Sequence, residues 1–141
     1  MPMRPHSADG TTPEDPPASR LLARRVIGKD AATGATLIVY RASIDFTNRH
    51  GTVQGGFLAA MLDSAAAMTL LSELPPGRTA VTTRLEVDFL KPASPGELTA
   101  SASVSSMDER RARVVADLRN CDDVILARAN VELRIVPTTR A

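Results

Sequence analysis

Aromatic side chains are scarce in this chain: three Phe, one Tyr and no Trp among 141 residues. Base-stacking surfaces use several aromatic rings, and broad phosphate binding uses a large basic excess. The formal net charge is only +1, so both routes to nucleic acid are disfavoured. Cysteine is limited to Cys121, which cannot close an intrachain disulfide or build a metal cluster and fits a reducing compartment. No apolar run reaches the roughly 20 residues of a membrane span. The longest, Phe57 to Leu71, is interrupted by Asp63, Ser64 and Thr69, which predicts a buried core helix and no membrane partner. The N-terminus has no apolar core of the secretory kind. It carries Pro2, Pro5, Pro13, Pro16 and Pro17 among Asp9, Gly10, Glu14 and Asp15. These features predict a flexible tail over 1–19, one domain over 20–141 and a cytoplasmic location.

Hydrophobic residues make up 43% of the chain, enough for a packed core. Leu21–Ile27 and Ala35–Ile44 read as strands around the turn cluster at Asp30–Gly34. Gly56–Ser72 is rich in Ala, Leu and Met and reads as a helix, stopped by Pro75, Pro76 and Gly77. It is apolar nearly all round, so burial on most sides is expected. Strands follow at Thr82–Leu90, Leu98–Ser106, Ala112–Leu118 and Val124–Val136. In the first of these, Leu85, Val87 and Phe89 alternate with Arg84, Glu86 and Asp88. In the last, Ile125, Ala127, Ala129, Val131, Leu133 and Ile135 share a face. This order predicts an α+β fold in which a curved, mostly antiparallel sheet of five to six strands wraps one long central helix.

The densest signal is N-R-H-G-T-V-Q-G-G-F-L-A-A-M-L-D, Asn48 to Asp63. A glycine pair, Gly55 and Gly56, opens the helix and offers backbone N–H groups to an anionic or carbonyl oxygen. Eight residues on, Asp63 stands in an apolar run where an acid is costly to bury without a partner.

This stretch, continuing through Ser64 and Ala65, resembles the hotdog-fold thioesterases of the phenylacetic-acid-degradation (PaaI-like) type. T-T-R-L-E-V-D-F-L-K-P-A at 82–93 and A-R-A-N-V-E-L at 127–133 follow at that family's spacing, so the resemblance covers about residues 20–137. It implies hydrolysis of an acyl-CoA thioester without metal or other cofactor. It also implies homodimers that pair their sheets, often joined as homotetramers. The family's catalytic asparagine, helix-start glycine and helix carboxylate map onto Asn48, Gly55 and Asp63, and an assisting hydroxyl maps onto Thr82. The chain departs from the pattern at Gln54, where many relatives carry histidine. Glutamine donates a hydrogen bond but does not titrate near neutral pH.

The chemistry can also be read from the residues. A thioester carbonyl must be polarised, and the Gly55 N–H at a helix N-terminus suits that, with no Cβ to block approach. Oxygen must reach the carbonyl carbon, and Asp63 suits that as general base or as nucleophile. Asn48 can align the water or the carboxylate. Eight residues of helix separate Gly55 from Asp63 by about 12 Å. If both act on one carbonyl, the site is shared between two subunits. The resemblance further implies that Gln54, Gly56 and Thr82 contact substrate. Arg110 and Arg111, beside Arg113, suit the phosphates of coenzyme A. Phe57, Met61 and Met68 are expected near the acyl pocket.

Each residue also has a structural reading. Asp63 suits a salt bridge, Gly55 and Gly56 close packing, Asn48 a turn, Thr82 an ordinary strand position and the arginines a solvated hairpin tip. Ser64 reads as helix interior and His50 as loop. Two further functions stay open. A non-catalytic acyl-CoA sensor is compatible with Gln54. An acyl-thioester dehydratase normally pairs histidine with a carboxylate, and this chain has no histidine at or after the helix start.

Overall fold

A computed structural model describes residues 15–138. Residues 1–14 of the segment read as a tail lie outside them. The chain runs α1 (Pro17–Leu21), β1 (Arg25–Lys29), β2 (Thr36–Ala42), a 3-10 turn (Ile44–Phe46), α2 (Gly55–Leu71), β3 (Arg78–Phe89), β4 (Gly96–Met107), β5 (Arg111–Arg119) and β6 (Ile125–Pro137). The six strands form one antiparallel sheet in the order β1-β2-β4-β5-β6-β3, curved around α2 as expected for the hotdog fold.

The inner strand faces are rich in small side chains. Ala100, Ala102, Ala112, Ala116, Ala127 and Ala129 are all buried, and α2 sets Ala65 and Ala66 among its buried residues. Small residues on both surfaces let the helix lie close to the sheet. Leu58, Met61, Leu62 and Leu70 of α2 join Ile38, Leu98, Val114, Leu118, Val131 and Leu133 in one core. The outer sheet face carries Thr99, Ser101, Ser103, Arg113, Asp117, Arg128 and Asn130, which suits water. The alternation expected in β6 holds from Ala127 through Ala129, Val131 and Leu133 to Ile135, all buried, but fails at Ile125, which is half-buried beside the buried Leu126 where pairing with β5 slips.

The first expected strand is divided. Residues Pro17–Leu21 form a short helix, so three residues read as tail and the start of Leu21–Ile27 are helical. Proline at the first helical turn costs no hydrogen bond and presets φ. Ala23 then takes a left-handed φ of 52°, and Arg24 N donates to Ser19 O. This closes the helix before β1 begins. The long helix ends at Leu71 with Ser72 as its C-cap, and Pro75–Arg78 then forms a tight turn into β3 whose left-handed third position is Gly77, φ 85°. β3 starts at Arg78 rather than Thr82, because β6 continues to Pro137 and pairs with it throughout.

Among the described residues one buried polar side-chain atom has no partner, the hydroxyl of Thr69 on α2. Thr69→Val keeps the shape and removes an unpaired buried hydroxyl. It is expected to raise the unfolding free energy by about 1 kcal/mol, read as a higher urea midpoint at unchanged slope.

Candidate active site

Asp63 sits midway along α2 on the stripe that the sheet leaves uncovered. Gly56, Ala60 and Leu71 are exposed there, and Asp63, Ser64 and Ala67 are half-buried. Burial on most sides, expected from composition, is therefore incomplete in the single chain. Thr82 Oγ1 donates to Asp63 Oδ1 at 2.6 Å. A β-bulge makes this contact. Pairing with β6 slips between Thr82 and Arg84, and Thr83 instead sends its hydroxyl to Glu132 O at 3.1 Å. Strict alternation would put Thr82 on the face of Arg84 and Glu86. The extra residue turns it to the helix side with Leu85, Val87 and Phe89.

Gly55 is the first residue of α2, and Gln54 is its N-cap without a side-chain capping bond. The first N–H groups of a helix have no partner within it, so this end presents donors. A Cβ on Gly55 would stand 3.2 Å from the Phe89 ring, so the missing side chain also admits that ring. Gly56 is open, with nothing within 4 Å of a Cβ position. Gln54 is exposed. Phe57 stacks on Phe46 with centroids 4.1 Å apart, Met61 is fully buried and Met68 half-buried.

Asn48 organises its own loop. Its Oδ1 accepts from His50 N at 2.9 Å, and its Nδ2 donates to Thr52 Oγ1 at 3.0 Å. Its turn role is thus evident, and it leaves one Nδ2 hydrogen for other work. Arg110 and Arg111 sit at the tip between β4 and β5. Their backbone N–H groups bond Asp108 Oδ1 at 2.8 and 2.9 Å and hold its carboxyl below the usual range. Both side chains are exposed, whereas Arg113 pairs with Glu132 at 2.9 Å. Leu133 pairs with both Thr82 and Ala112, so this tip lies at the Asp63 end of the sheet, away from Gly55.

A polar cluster adjoins Asp63. Tyr40 OH donates to Ser64 Oγ at 3.0 Å, and Arg24 Nη1 donates to the same oxygen at 3.3 Å. Ser64 is therefore part of a network rather than plain helix interior. No local pattern announces it, because the partners lie 24 and 40 positions away. Burial pushes the Tyr40 hydroxyl up to about 12 from 10, against smaller opposing effects of Ser64 and Arg24. A raised folded value stabilises fully below pH 10 and is lost as pH rises through 12, because the unfolded chain ionises first. Unfolding free energy should fall by about 1.4 kcal/mol per pH unit across that window. Urea melts of the protein and of Tyr40→Phe over that range check this, since the variant lacks the added slope.

Among the described residues, no group of three or more His, Cys, Asp or Glu is placed to hold a metal ion. No described helix is long and apolar enough to cross a membrane. A cavity of about 820 Å³ opens on the outer sheet face, lined by Thr99, Ser101, Asp117, Arg119 and Arg128. It shares no residue with the Asp63 region. Asp63 has a built polar environment at a helix face, and that carries more weight than cavity size.

Residues 50–127 match the model of the thioesterase superfamily. The chain belongs to that superfamily. Its likeness is to the PaaI-like hotdog thioesterases. It is 31% identical to a phenylacetic acid degradation-related protein from Ralstonia eutropha JMP134, covering 84% of this chain and 89% of that one, with a TM-score of 0.79. The E. coli PaaI protein, from the phenylacetic acid degradation operon, shares the fold at 24% identity. There 89% of this chain and 88% of that one align, with a TM-score of 0.78. The BH2602 protein from Bacillus halodurans, solved with CoA, shares it at 24% identity, covering 71% and 66%, with a TM-score of 0.68. No curated protein sequence matches the chain.

Proposed function

We propose that this thioesterase hydrolyses an acyl-CoA thioester to free acid and CoA, in sites shared between two copies of the chain. The observation that carries the reading is the 2.6 Å bond from Thr82 to Asp63 on the open stripe of α2. It fixes one carboxylate oxygen and leaves the other to act on water or on the carbonyl carbon. The Gly55 N–H polarises the carbonyl, and Gln54 and Gly56 border it. Asn48 holds the preceding loop and aligns water through its remaining hydrogen.

Sharing is supported by the edge strand. Among the described residues β3 pairs only with β6, and it exposes Val81, Leu85 and Phe89 at 50%, 36% and 54%, with Leu90 just beyond it at 51%. A long apolar edge of this kind invites another strand. Gly55 lies against Phe89 at one end of β3, and Asp63 against Thr82 toward the other. Antiparallel pairing of two β3 strands about a two-fold axis would bring each Gly55 end beside the other copy's Asp63 end. CoA is the carrier to test first, because Arg110 and Arg111 are exposed cations at the Asp63 end that pair with no carboxylate among the described residues, and the Bacillus halodurans neighbour holds CoA.

A panel of acyl-CoAs assayed for free-thiol release tests this reading. Release from at least one member, proportional to enzyme, is expected. Tight binding without release from any of them would favour the sensor instead.

A further inference from the structure

Hydrolysis as described leaves Arg24 without a task. The other described arginines either pair with a carboxylate, as do Arg25, Arg84, Arg113 and Arg119, or lie exposed. Arg24 is half-buried and, among the described residues, pairs with no carboxylate. Its side chain bonds the Ser64 hydroxyl, which uses one of five guanidinium N–H donors. Ser64 Oγ accepts from Arg24 and Tyr40, which fills both of its lone pairs. Its own hydrogen is left to donate. Arg24 and Ser64 therefore bring a positive charge and uncommitted donors to the open stripe of α2, at the residue next to Asp63.

The placement is held by the backbone. Ala23, buried at 7% exposure, takes the left-handed φ that feeds Arg24 toward α2. That conformation costs an alanine about 1 kcal/mol and persists only where packing enforces it. A guanidinium seeks a planar pair of anionic oxygens, which a carboxylate supplies. Because Ser64 adjoins Asp63, such a carboxylate would sit only a short chain away from the reacting carbonyl.

We propose that Arg24, with the Ser64 hydroxyl, sets acyl specificity by binding a carboxylate at the far end of a short acyl chain. The substrate class is then the CoA monothioester of a short dicarboxylic acid. This rests on Asp63 being the reacting carboxylate. An uncharged chain of similar length leaves the cation unpartnered and is discriminated against.

The test compares kcat/KM for succinyl- and glutaryl-CoA with butyryl- and hexanoyl-CoA. The protein is expected to favour the carboxylated pair by about tenfold or more, the scale of one charge-assisted bond. Arg24→Met removes the preference, and Arg24→Lys, which keeps the charge if Met disturbs folding, retains part of it. Equal kcat/KM for the two pairs in the unaltered protein overturns the inference while leaving acyl-CoA hydrolysis intact. So does an equal loss on both pairs in Arg24→Met, or an assembly in which Arg24 pairs with a carboxylate of a second copy. If no acyl-CoA is cleaved, the hydrolytic reading fails by itself. Calorimetric binding of glutaryl-CoA against hexanoyl-CoA then reads Arg24 directly, and equal affinities overturn the inference.

Discussion

Asp63→Asn is expected to lower kcat for acyl-CoA hydrolysis by about 10²–10⁴-fold, the range for loss of a positioned acid–base group. Asparagine is nearly isosteric and keeps an oxygen to accept the Thr82 hydroxyl, now 2.6 Å from Asp63. The site is half-buried and no described ion pair uses Asp63, so unfolding free energy should change by no more than about 1 kcal/mol. Lost turnover with an unchanged melting temperature is thus the expected combination. KM should move little, because the carboxylate acts on the reacting centre rather than on the carrier. Undiminished turnover in Asp63→Asn would return the residue to a structural role. Single-turnover hydrolysis in isotopically labelled water separates the two chemistries left to Asp63. Label in its carboxylate marks a nucleophile and excludes direct attack by water on the thioester.

The contact under that prediction shows what sequence can and cannot carry. Asp63 is legible because an acid in an apolar helix has to be explained, and Gly55 because a glycine pair opens the same helix. Thr82 is half-legible. Its position in a family pattern suggests a role, but the alternation of Arg84, Leu85, Glu86 and Val87 assigns it to the wrong face. Only the bulge at Thr82/Arg84 turns it toward α2, and a bulge is a property of two paired strands. The same limit hides Arg24. Nothing in L-L-A-R-R announces a helix end, and a left-handed alanine there conflicts with local preference. β4, β5 and β6 are readable because each alternates over a long buried face, and β3 because Leu85, Val87 and Phe89 alternate with charged residues even though the strand is largely exposed. β1, exposed throughout at the sheet edge, gave no such pattern to separate it from the helix before it.

Mixed assemblies of two inactive variants should recover activity, and the amount can be stated beforehand. Gly55→Pro removes the N–H assigned to the carbonyl while suiting the fold. Proline is favoured at the first helical position, and Gln54 already has the extended conformation, φ −63° and ψ 138°, that proline requires of its predecessor. The ring would press on Phe89, whose side chain is 54% exposed in the single chain. Losing one oxyanion donor should cost about 10²–10³-fold in kcat. Alone, Gly55→Pro and Asp63→Asn are each close to inactive. In a two-fold dimer with shared sites, a mixed pair joins the glycine of one subunit to the aspartate of the other. One of its two sites is then whole. Random assortment makes half the dimers mixed, so co-refolding equal amounts should restore about a quarter of full activity. A site contained within one chain predicts no recovery, because every subunit carries a defect. Native mass spectrometry distinguishes that result from failed mixing: mixed dimers without recovered turnover would place Gly55 and Asp63 in separate functions. The roughly 12 Å of helix between them argues for recovery, since one chain cannot bring both to a single carbonyl carbon.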